Sequence, residues 1–199
     1  MCLWDVAVSL SEASLAQQLD AYLAEYPDEA GTVERFFELL NGHRDCYERT
    51  CWAGHVTGSA WLVDATGRAV LLTHHRKLGS WFQLGGHSDG DPDTLAVAQR
   101  EGEEESGLCL APVQARILDI DIHEIPARKQ DPAHHHFDVR YAFVSRSGRD
   151  YRVSAESHDL AWVPIDALHS YTEEPSMMRM AGKWQRWLAD GRFRNDIGD

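Results

Sequence analysis

The chain has 199 residues, 43% of them hydrophobic, and a formal net charge of −13, which suits one globular domain and excludes a disordered chain. The acidic excess argues against a nucleic-acid polymer as partner, because such proteins need a basic surface that releases counterions. It is compatible with a protein that gathers metal cations.

Compartment and redox state are predicted from what the sequence lacks. No run approaches the roughly 18 apolar residues of a membrane span. The N-terminus MCLWDVAVSL lacks the basic region and apolar core of a signal peptide. The four cysteines form no CxxC pair and no disulfide framework. We therefore expect reduced thiols, a cytoplasmic location and no membrane partner.

Two helices are predicted in the first fifty residues. SLAQQLDAYLAEY places Leu15, Leu19 and Leu23 at i, i+4 and i+8, which is one helix face. GTVERFFELL continues with apolar residues at helical spacing, and the NGH that follows is a helix stop signal. We expect a helical N-terminal extension over residues 1–50 and the main domain over residues 51–199.

Strands are predicted next, because the apolar period changes from helical to alternating. HVTGSAWLVDATGRAVLLTHH predicts two strands around a turn. ARILDIDIHEI alternates, with Leu118, Ile120 and Ile122 on one face. In HHHFDVRYAFV, alternation assigns one set to the core and the other to a cleft or water. The core set is Phe137, Val139, Tyr141 and Phe143, and the polar set is His136, Asp138 and Arg140.

The chain continues with a predicted strand, DLAWVPIDAL, and a helix, SMMRMAGKWQRWLAD. That helix places Met180, Trp184, Trp187 and Leu188 on one stripe, which is typical of a helix packed on a core rather than of a ligand site. The order of helices, strands, central helix, strands and terminal helix predicts an α/β domain with a mixed sheet.

The central helix lies in LGGHSDGDPDTLAVAQREGEEESGL. Asp91 is the expected N-cap, with Pro92 in the first helical position, and Gly107 is the expected stop. Between them runs a narrow face of small residues at i, i+3 and i+7, made of Leu95, Ala98 and Gly102. Small residues there would let the helix backbone lie close to a sheet.

Three glutamates form a second face of this helix. Glu101, Glu104 and Glu105 fall at i, i+3 and i+4, so they are neighbours that repel one another. They also lie toward the helix C-terminus, where the macrodipole disfavours negative charge. A hard cation such as Mg²⁺ would turn this repulsion into binding, since it takes oxygen ligands and keeps waters and substrate phosphates. Spacing alone leaves two interpretations, a metal site and an exposed acidic helix end.

Residues 86–108 resemble the signature of the Nudix hydrolases, of the bacterial, MutT-like type. That signature is a glycine, five residues, Glu, seven residues, and then Arg-Glu-apolar-x-Glu-Glu-x-Gly-apolar. Gly86 fits the first glycine, and residues 100–108 fit the second half in register. Two positions depart from the pattern, because Pro92 stands where the first Glu belongs and Gly102 where a large apolar residue is usual.

The resemblance covers roughly residues 54–168 and implies an α/β/α sandwich around a mixed sheet. It implies a Mg²⁺- or Mn²⁺-dependent pyrophosphohydrolase that cleaves a nucleoside diphosphate linked to another moiety. The implied metal ligands, also catalytic, are Glu101, Glu104 and Glu105, joined by the carbonyl of Gly85. The implied supports of the motif are Gly86, Arg100 and Gly107, with Arg100 paired to Glu101. The substitutes considered for the missing Glu are Asp89, Asp91 and Asp93.

Further residues are candidates for the site, and each could instead be an ordinary surface or strand residue. Glu156, in VSAESHDLAW, lies in a loop where relatives carry a general base, or it is an ordinary surface residue. Arg76 and Lys77 are candidate phosphate contacts or simple surface charge. The polar set of HHHFDVRYAFV is a candidate substrate wall, with Arg140 for a phosphate and His136 and Asp138 for a base or sugar.

The triplet from His134 to His136 leaves three interpretations open, namely a zinc site, a polar pocket wall and exposed strand residues. Alternation places His134 and His136 on the face of Asp138, but the sequence shows no convergent set of ligands.

Three functions fit the fold that the resemblance implies. The first is the pyrophosphohydrolase, and the second is a regulatory module that binds a nucleotide with little or no turnover. The third, an isoprenoid diphosphate isomerase, needs a dedicated cysteine, and neither Cys51 nor Cys109 has a context that supports it. Retention of three of the four motif glutamates favours the hydrolase. The motif does not select among nucleoside triphosphates, nucleotide sugars, dinucleoside polyphosphates and ADP-ribose, and a homodimer is compatible with it.

Overall fold

The computed structural model describes residues 13–76, 79–128, 131–154 and 157–193. Two N-terminal helices precede the strands, α1 (Leu15–Glu25) and α2 (Ala30–Gly42). The strands are β1 (His55–Val63), β2 (Ala69–His75), β3 (Trp81–Phe82), β4 (Leu84–His87), β5 (Leu110–Ile125), β6 (His134–Ser145) and β7 (Ser157–Pro164). The acidic helix is α3 (Thr94–Ser106) and the terminal helix is α4 (Pro175–Ala189).

The described strands form one mixed sheet in the order β3-β2-β1-β6-β5, with β4 paired to β1 and β7 paired to β2. β1 and β6 are parallel, and the other pairs are antiparallel. β1 therefore lies at the centre and contacts β2, β4 and β6. Its parallel register sets His55 opposite His136, 81 positions later in the chain.

Helices cover both faces of the sheet, which confirms the predicted α/β/α sandwich. One core joins α1, α2 and α3 to the sheet, and it contains the predicted core set of β6. The other core joins α4 to the opposite face through Met180, Trp184 and Trp187, as the stripe predicted. The helical N-terminal extension is present and shares the first core, while its division from the main domain at residue 50 stays a prediction.

Two smaller sequence expectations have outcomes in the structure. None of the described helices is long and apolar enough to cross a membrane. The expectation of reduced thiols is met by Cys46 and Cys51, which are free and buried. It is wrong for Cys109, which is disulfide-bonded.

Glycines let α3 lie directly on the sheet. A Cβ added to Gly58 of β1 would lie 2.9 Å from both the Thr94 carbonyl oxygen and the Ala98 amide nitrogen. A Cβ added to Gly102 would lie 3.1 Å from the Ala60 side chain. Both contacts are closer than real Cβ atoms normally make. Gly102, at the position where the motif usually has a large apolar residue, is therefore needed for this close packing. The predicted narrow inner face is thus a close helix–sheet contact.

The predicted start of α3 is wrong by two residues. Its N-cap is Asp93, whose side chain accepts a hydrogen bond from the Ala96 amide at 3.1 Å. Asp91 instead accepts from the Asp93 amide at 2.9 Å and shapes the preceding turn. Asp is a favoured N-cap at either position, so sequence preference alone could not choose between them. The stop at Gly107 is confirmed, since its φ of 70° suits a left-handed C-cap.

A β-bulge in β5 changes the predicted alternation. Ile117 pairs with Tyr141 and Asp119 with Arg140, so three residues of β5 face two of β6. Leu118 therefore packs in the core beneath α4, while Ile120 packs in the opposite core. The expectation that both lie on one face is wrong because alternation restarts at the bulge.

A buried ion network fastens α4 and the N-terminal helices to β5. Asp119, fully buried, accepts from Arg140 at 3.1 Å, from Arg179 at 2.8 Å and from Lys183 at 2.7 Å. Lys183 extends from α4 and also pairs with Glu29 at 2.5 Å, in the turn between α1 and α2. One carboxylate thus neutralises cations from two separate elements, and its loss would leave two of them buried.

We predict that Asp119→Ala lowers the free energy of unfolding by about 3–5 kcal/mol, because Arg140 and Lys183 would remain buried without this carboxylate. Urea unfolding followed by circular dichroism measures the change. Asp166→Ala, at an exposed aspartate, is the matched control and should shift stability by less than about 0.5 kcal/mol. Equal midpoints for the two variants would contradict the structural role of Asp119.

Candidate active site

The Glu101 carboxylate lies against the backbone of β4. A Cβ added to Gly86 would lie 2.0 Å from Oε2 of Glu101 and 2.5 Å from its Cδ. Any larger residue at this position would push the carboxylate away. The first glycine of the motif therefore provides the space in which Glu101 lies beside β4.

Arg100 ties the helix to the loop that leads into it. Its Nη2 donates to Oε1 of Glu101 at 3.3 Å and to the carbonyl oxygen of His87 at 3.2 Å. Its Nη1 lies 3.7 Å from Oδ2 of Asp91. The expected pair of Arg100 with Glu101 is present, and Asp91, next to Pro92, lies within ion-pair distance of the same arginine.

The other two candidate substitutes have different partners. Asp93 caps α3, as described above. Asp89 accepts from Nε and Nη2 of Arg49 at 2.6 and 2.5 Å, a bidentate pair that ties the motif loop to the segment before β1. Of the three aspartates, Asp91 is therefore the one that lies within ion-pair distance of the motif arginine.

The charged form of Glu101 is disfavoured by its surroundings. Burial raises the pKa of Glu101, and the charges of Glu104 and Asp89 raise it further, while Arg100 opposes the shift. Glu104 is exposed and Glu105 half-buried.

Glu103 differs from these three in its contacts. Its Oε1 accepts from the Leu110 amide at 2.9 Å and from Nε2 of Gln99 at 3.4 Å, so it joins α3 to the start of β5. The remaining triad offers carboxylate oxygens beside a glycine cradle, which is the donor type that Mg²⁺ and Mn²⁺ prefer. The residues present therefore fit a hard divalent cation.

Four other predicted site residues have less structural support. Glu156 and Lys77 lie outside the described residues. Arg76 is exposed, and its Nη2 donates to the carbonyl of Ser157 at 2.9 Å. A Cβ on Gly85 would lie 2.2 Å from Oγ of Ser59 in β1, so this glycine is required for strand pairing. The predicted metal contact of the Gly85 carbonyl stays a prediction.

The predicted substrate wall on β6 needs correction at two positions. Asp138 and Arg140 are each 2% exposed, so they face neither a cleft nor water. Asp138 accepts four hydrogen bonds, from Thr57 and Ser59 at Oδ1 and from Gln83 and Arg140 at Oδ2. Arg140 is held by three aspartates. Both are structural, since their polar atoms are occupied within the fold.

The third member of that wall, His136, lies in a group of histidines that sequence reasoning missed. Its ring centroid is 4.8 Å from that of His55, 5.0 Å from that of His87 and 5.4 Å from that of His123. Of the open interpretations of the triplet, exposed strand residues is wrong for His134 and His136, which are buried and half-buried. The group becomes visible once β1 is known to pair with β6.

Burial disfavours the charged form of two of these histidines. Burial, together with smaller contributions from the neighbouring histidines, lowers the pKa of His136 to about 2. Burial likewise lowers the pKa of His55 to about 4, with smaller contributions from His87 and His134. Clustered imidazoles cannot all carry a proton, because like charges at this spacing repel in a poorly solvated site.

A family model for the NUDIX domain matches residues 54–187, well over half of the chain. This chain belongs to the Nudix family. The predicted superfamily, and with it an enzyme of the Nudix pyrophosphohydrolase type, is confirmed, while the bacterial subgroup stays a prediction. The match reaches past the limit expected from the signature and includes most of α4.

Solved structures share this fold at low sequence identity. The Escherichia coli dihydroneopterin triphosphate pyrophosphohydrolase has a TM-score of 0.51 at 15% identity, covering 68% of this chain and 95% of its own. A MutT protein from Methanosarcina mazei Go1 has a TM-score of 0.50 at 18% identity, covering 69% and 95%. A NUDIX-family hydrolase from Clostridium perfringens has a TM-score of 0.48 at 23% identity, covering 66% and 97%. No curated protein matches the chain.

We predict that Gly86→Ala weakens Mn²⁺ binding by at least about tenfold, because the new methyl group displaces the Glu101 carboxylate, and small misplacements of site groups are costly. Electron paramagnetic resonance of free Mn²⁺ measures the affinity. The control is Gly31→Ala in α2, where an added Cβ meets nothing within 4 Å. Wild-type Mn²⁺ affinity in Gly86→Ala, with the fold intact by circular dichroism, would contradict the claim that Gly86 makes room for the Glu101 carboxylate.

Proposed function

We propose that the protein is a Mg²⁺- or Mn²⁺-dependent hydrolase that cleaves the pyrophosphate bond of a nucleoside diphosphate linked to another moiety. The observation that carries this proposal is the Glu101 carboxylate seated on Gly86, with Glu104 and Glu105 on the same face of α3. Family membership supports the reaction class, and the geometry supports these residues as its metal ligands.

Each group has a defined part in this proposal. Glu101, Glu104 and Glu105 would hold the cation, with the Gly85 carbonyl as a further ligand. A bound Mg²⁺ would supply positive charge to a reaction whose substrate and transition state are anionic. Arg100 is a positioning residue, because it contacts Glu101 and the carbonyl of the neighbouring His87.

The remaining roles are proposed without contacts that test them. Glu156 is the candidate general base, and Arg76 with Lys77 are candidate contacts for the substrate phosphates. Of the polar residues predicted on β6, His136 remains a candidate for contact with the base or sugar of the substrate. A cytoplasmic location and a homodimer stay predictions, and the net charge of −13 supports a small-molecule substrate rather than a nucleic-acid polymer.

The regulatory alternative predicts a site that has lost its metal ligands. Here the three carboxylates are retained, and Asp91 lies at the motif arginine where the usual Glu is missing. Both features support turnover over binding alone. A release assay covering nucleoside triphosphates, nucleotide sugars, dinucleoside polyphosphates and ADP-ribose, each with Mg²⁺ and with Mn²⁺, tests the proposal. Nucleotide binding without product release in any class would favour the alternative.

We predict that Glu104→Gln lowers turnover on the best substrate by at least about 100-fold, since the change removes a charge that would hold the catalytic cation. The metal-free variant should be no less stable than wild type, because repulsion on the helix face falls. Chemical unfolding in the presence of a chelator checks this second part.

Glu103→Gln is the matched control on the same helix. Its amide oxygen can still accept from the Leu110 amide, so turnover should stay within about twofold of wild type, as for a conservative change away from the site. Equal turnover of Glu104→Gln and wild type would remove Glu104 from the site. A large loss of stability in Glu104→Gln would show instead that this residue is structural.

A further inference from the structure

Three strands bring histidine nitrogens together beneath the sheet face that lies opposite α3. One potential ligand nitrogen from each of His55 in β1, His87 in β4 and His136 in β6 lies within 4.8 Å of the others. Nitrogen ligands of one tetrahedral zinc ion, each about 2.0–2.1 Å from it, lie about 3.3–3.4 Å from one another. Side-chain rotations that move each nitrogen by about an ångström or less would therefore let all three bind one ion.

His55 is oriented as a ligand would be. Its Nδ1 lies 3.4 Å from the carbonyl oxygen of Cys51. A carbonyl only accepts, so this contact requires the proton on Nδ1 and leaves Nε2 with the lone pair. The side chain is 1% exposed, and Nε2 has no hydrogen-bond partner in the described part of the chain. A buried acceptor without a partner is costly, and a metal ion would satisfy it.

Two more histidines beside the three have Nδ1 close to an acceptor oxygen. Nδ1 of His134 lies 2.9 Å from the carbonyl oxygen of Pro132, and Nδ1 of His123 lies 3.2 Å from Oδ2 of Asp121. Metal-bound imidazoles commonly donate their second nitrogen to a carbonyl or carboxylate in this way, which fixes the ring and its tautomer.

We propose that His55, His87 and His136 bind a divalent transition-metal ion of the Zn²⁺ class. Three neutral imidazoles suit Zn²⁺, Co²⁺ or Ni²⁺, whereas Mg²⁺ takes oxygen ligands. Three protein ligands leave at least one coordination position for water or another oxygen donor. His87 and His136 are half-buried, so solvent reaches part of the group.

The site is separate from the carboxylates of α3. Gly58 pairs with Gly86, and both face the helix, while the adjacent pair of Thr57 and His87 faces the other way. The two sites therefore lie on opposite faces of the β1–β4 pair. An ion held by the histidines would fasten β4 to β1 and β6, and with it the His87 carbonyl that Arg100 contacts.

A competing group of donors lies nearby. His43, Asp45 and Cys51 also have ligand atoms within 4.8 Å of one another. Its thiol distinguishes it from the histidines, because a thiolate bound to Co²⁺ gives a sulfur-to-metal charge-transfer band and imidazole does not. The histidine group is favoured because its central member is buried, oriented by a carbonyl and otherwise unsatisfied.

The test uses untagged, full-length protein stripped with a chelator and titrated with Co²⁺, and then with Zn²⁺ in thermal unfolding. We expect one equivalent of Co²⁺ to bind with visible absorption and without a sulfur band. His136→Gln and His87→Gln should each weaken this binding on the order of 100-fold, as expected for loss of a ligand. Zn²⁺ should raise the melting temperature of wild type and not of these variants.

Three controls locate the ion. His158→Gln, at an exposed histidine outside the group, Cys51→Ser and Glu104→Gln should all retain wild-type affinity. His87 is only half-buried, so His87→Gln should fold. Wild-type Co²⁺ affinity in this variant would overturn the proposal even if His136→Gln did not fold. Loss of binding in Cys51→Ser together with a sulfur band would move the ion to the competing group. Loss in Glu104→Gln alone would move it to α3, and either result overturns the proposal.

Discussion

The site depends on the close approach of α3 to the sheet. Gly58 in β1 and Gly102 in α3 remove the side chains that would separate the two layers, and Gly86 in β4 leaves space for a carboxylate. Because the helix lies this close, Glu101 reaches the backbone of β4 and Arg100 reaches the His87 carbonyl. Gly102 therefore replaces the usual apolar residue of the motif for a steric reason, because a side chain there would push the helix away from the sheet.

Asp119 and the glutamates of α3 differ in how the fold surrounds their negative charge. Asp119 is buried among Arg140, Arg179 and Lys183, so its charge is neutralised within the fold. On α3, Arg100 pairs with Glu101, and burial and acidic neighbours raise the pKa of that glutamate. A raised pKa marks the Glu101 carboxylate as one whose charge is disfavoured, and a bound divalent cation would stabilise that charge.

Local pattern was enough to predict much of the fold. Helical spacing located α1, α2 and α4, and the motif located α3, because these signals depend on neighbours a few residues apart. Predictions failed where distant residues decide the outcome. Asp138 and Arg140 were expected at a cleft, but partners from β1, β5 and the loop before β4 bury them. Leu118 changed faces because a bulge interrupts alternation. The histidine group required the parallel pairing of β1 with β6.

The central claim is that the glutamates of α3 hold the cation used in pyrophosphate cleavage. Anomalous diffraction from crystals equilibrated with Mn²⁺ at neutral pH tests it most directly. We expect a peak at coordination distance from carboxylate oxygens of Glu101, Glu104 and Glu105, on the Gly86 side of the helix. Ordered glutamates without any peak beside them, at a Mn²⁺ concentration that supports turnover, would contradict the account.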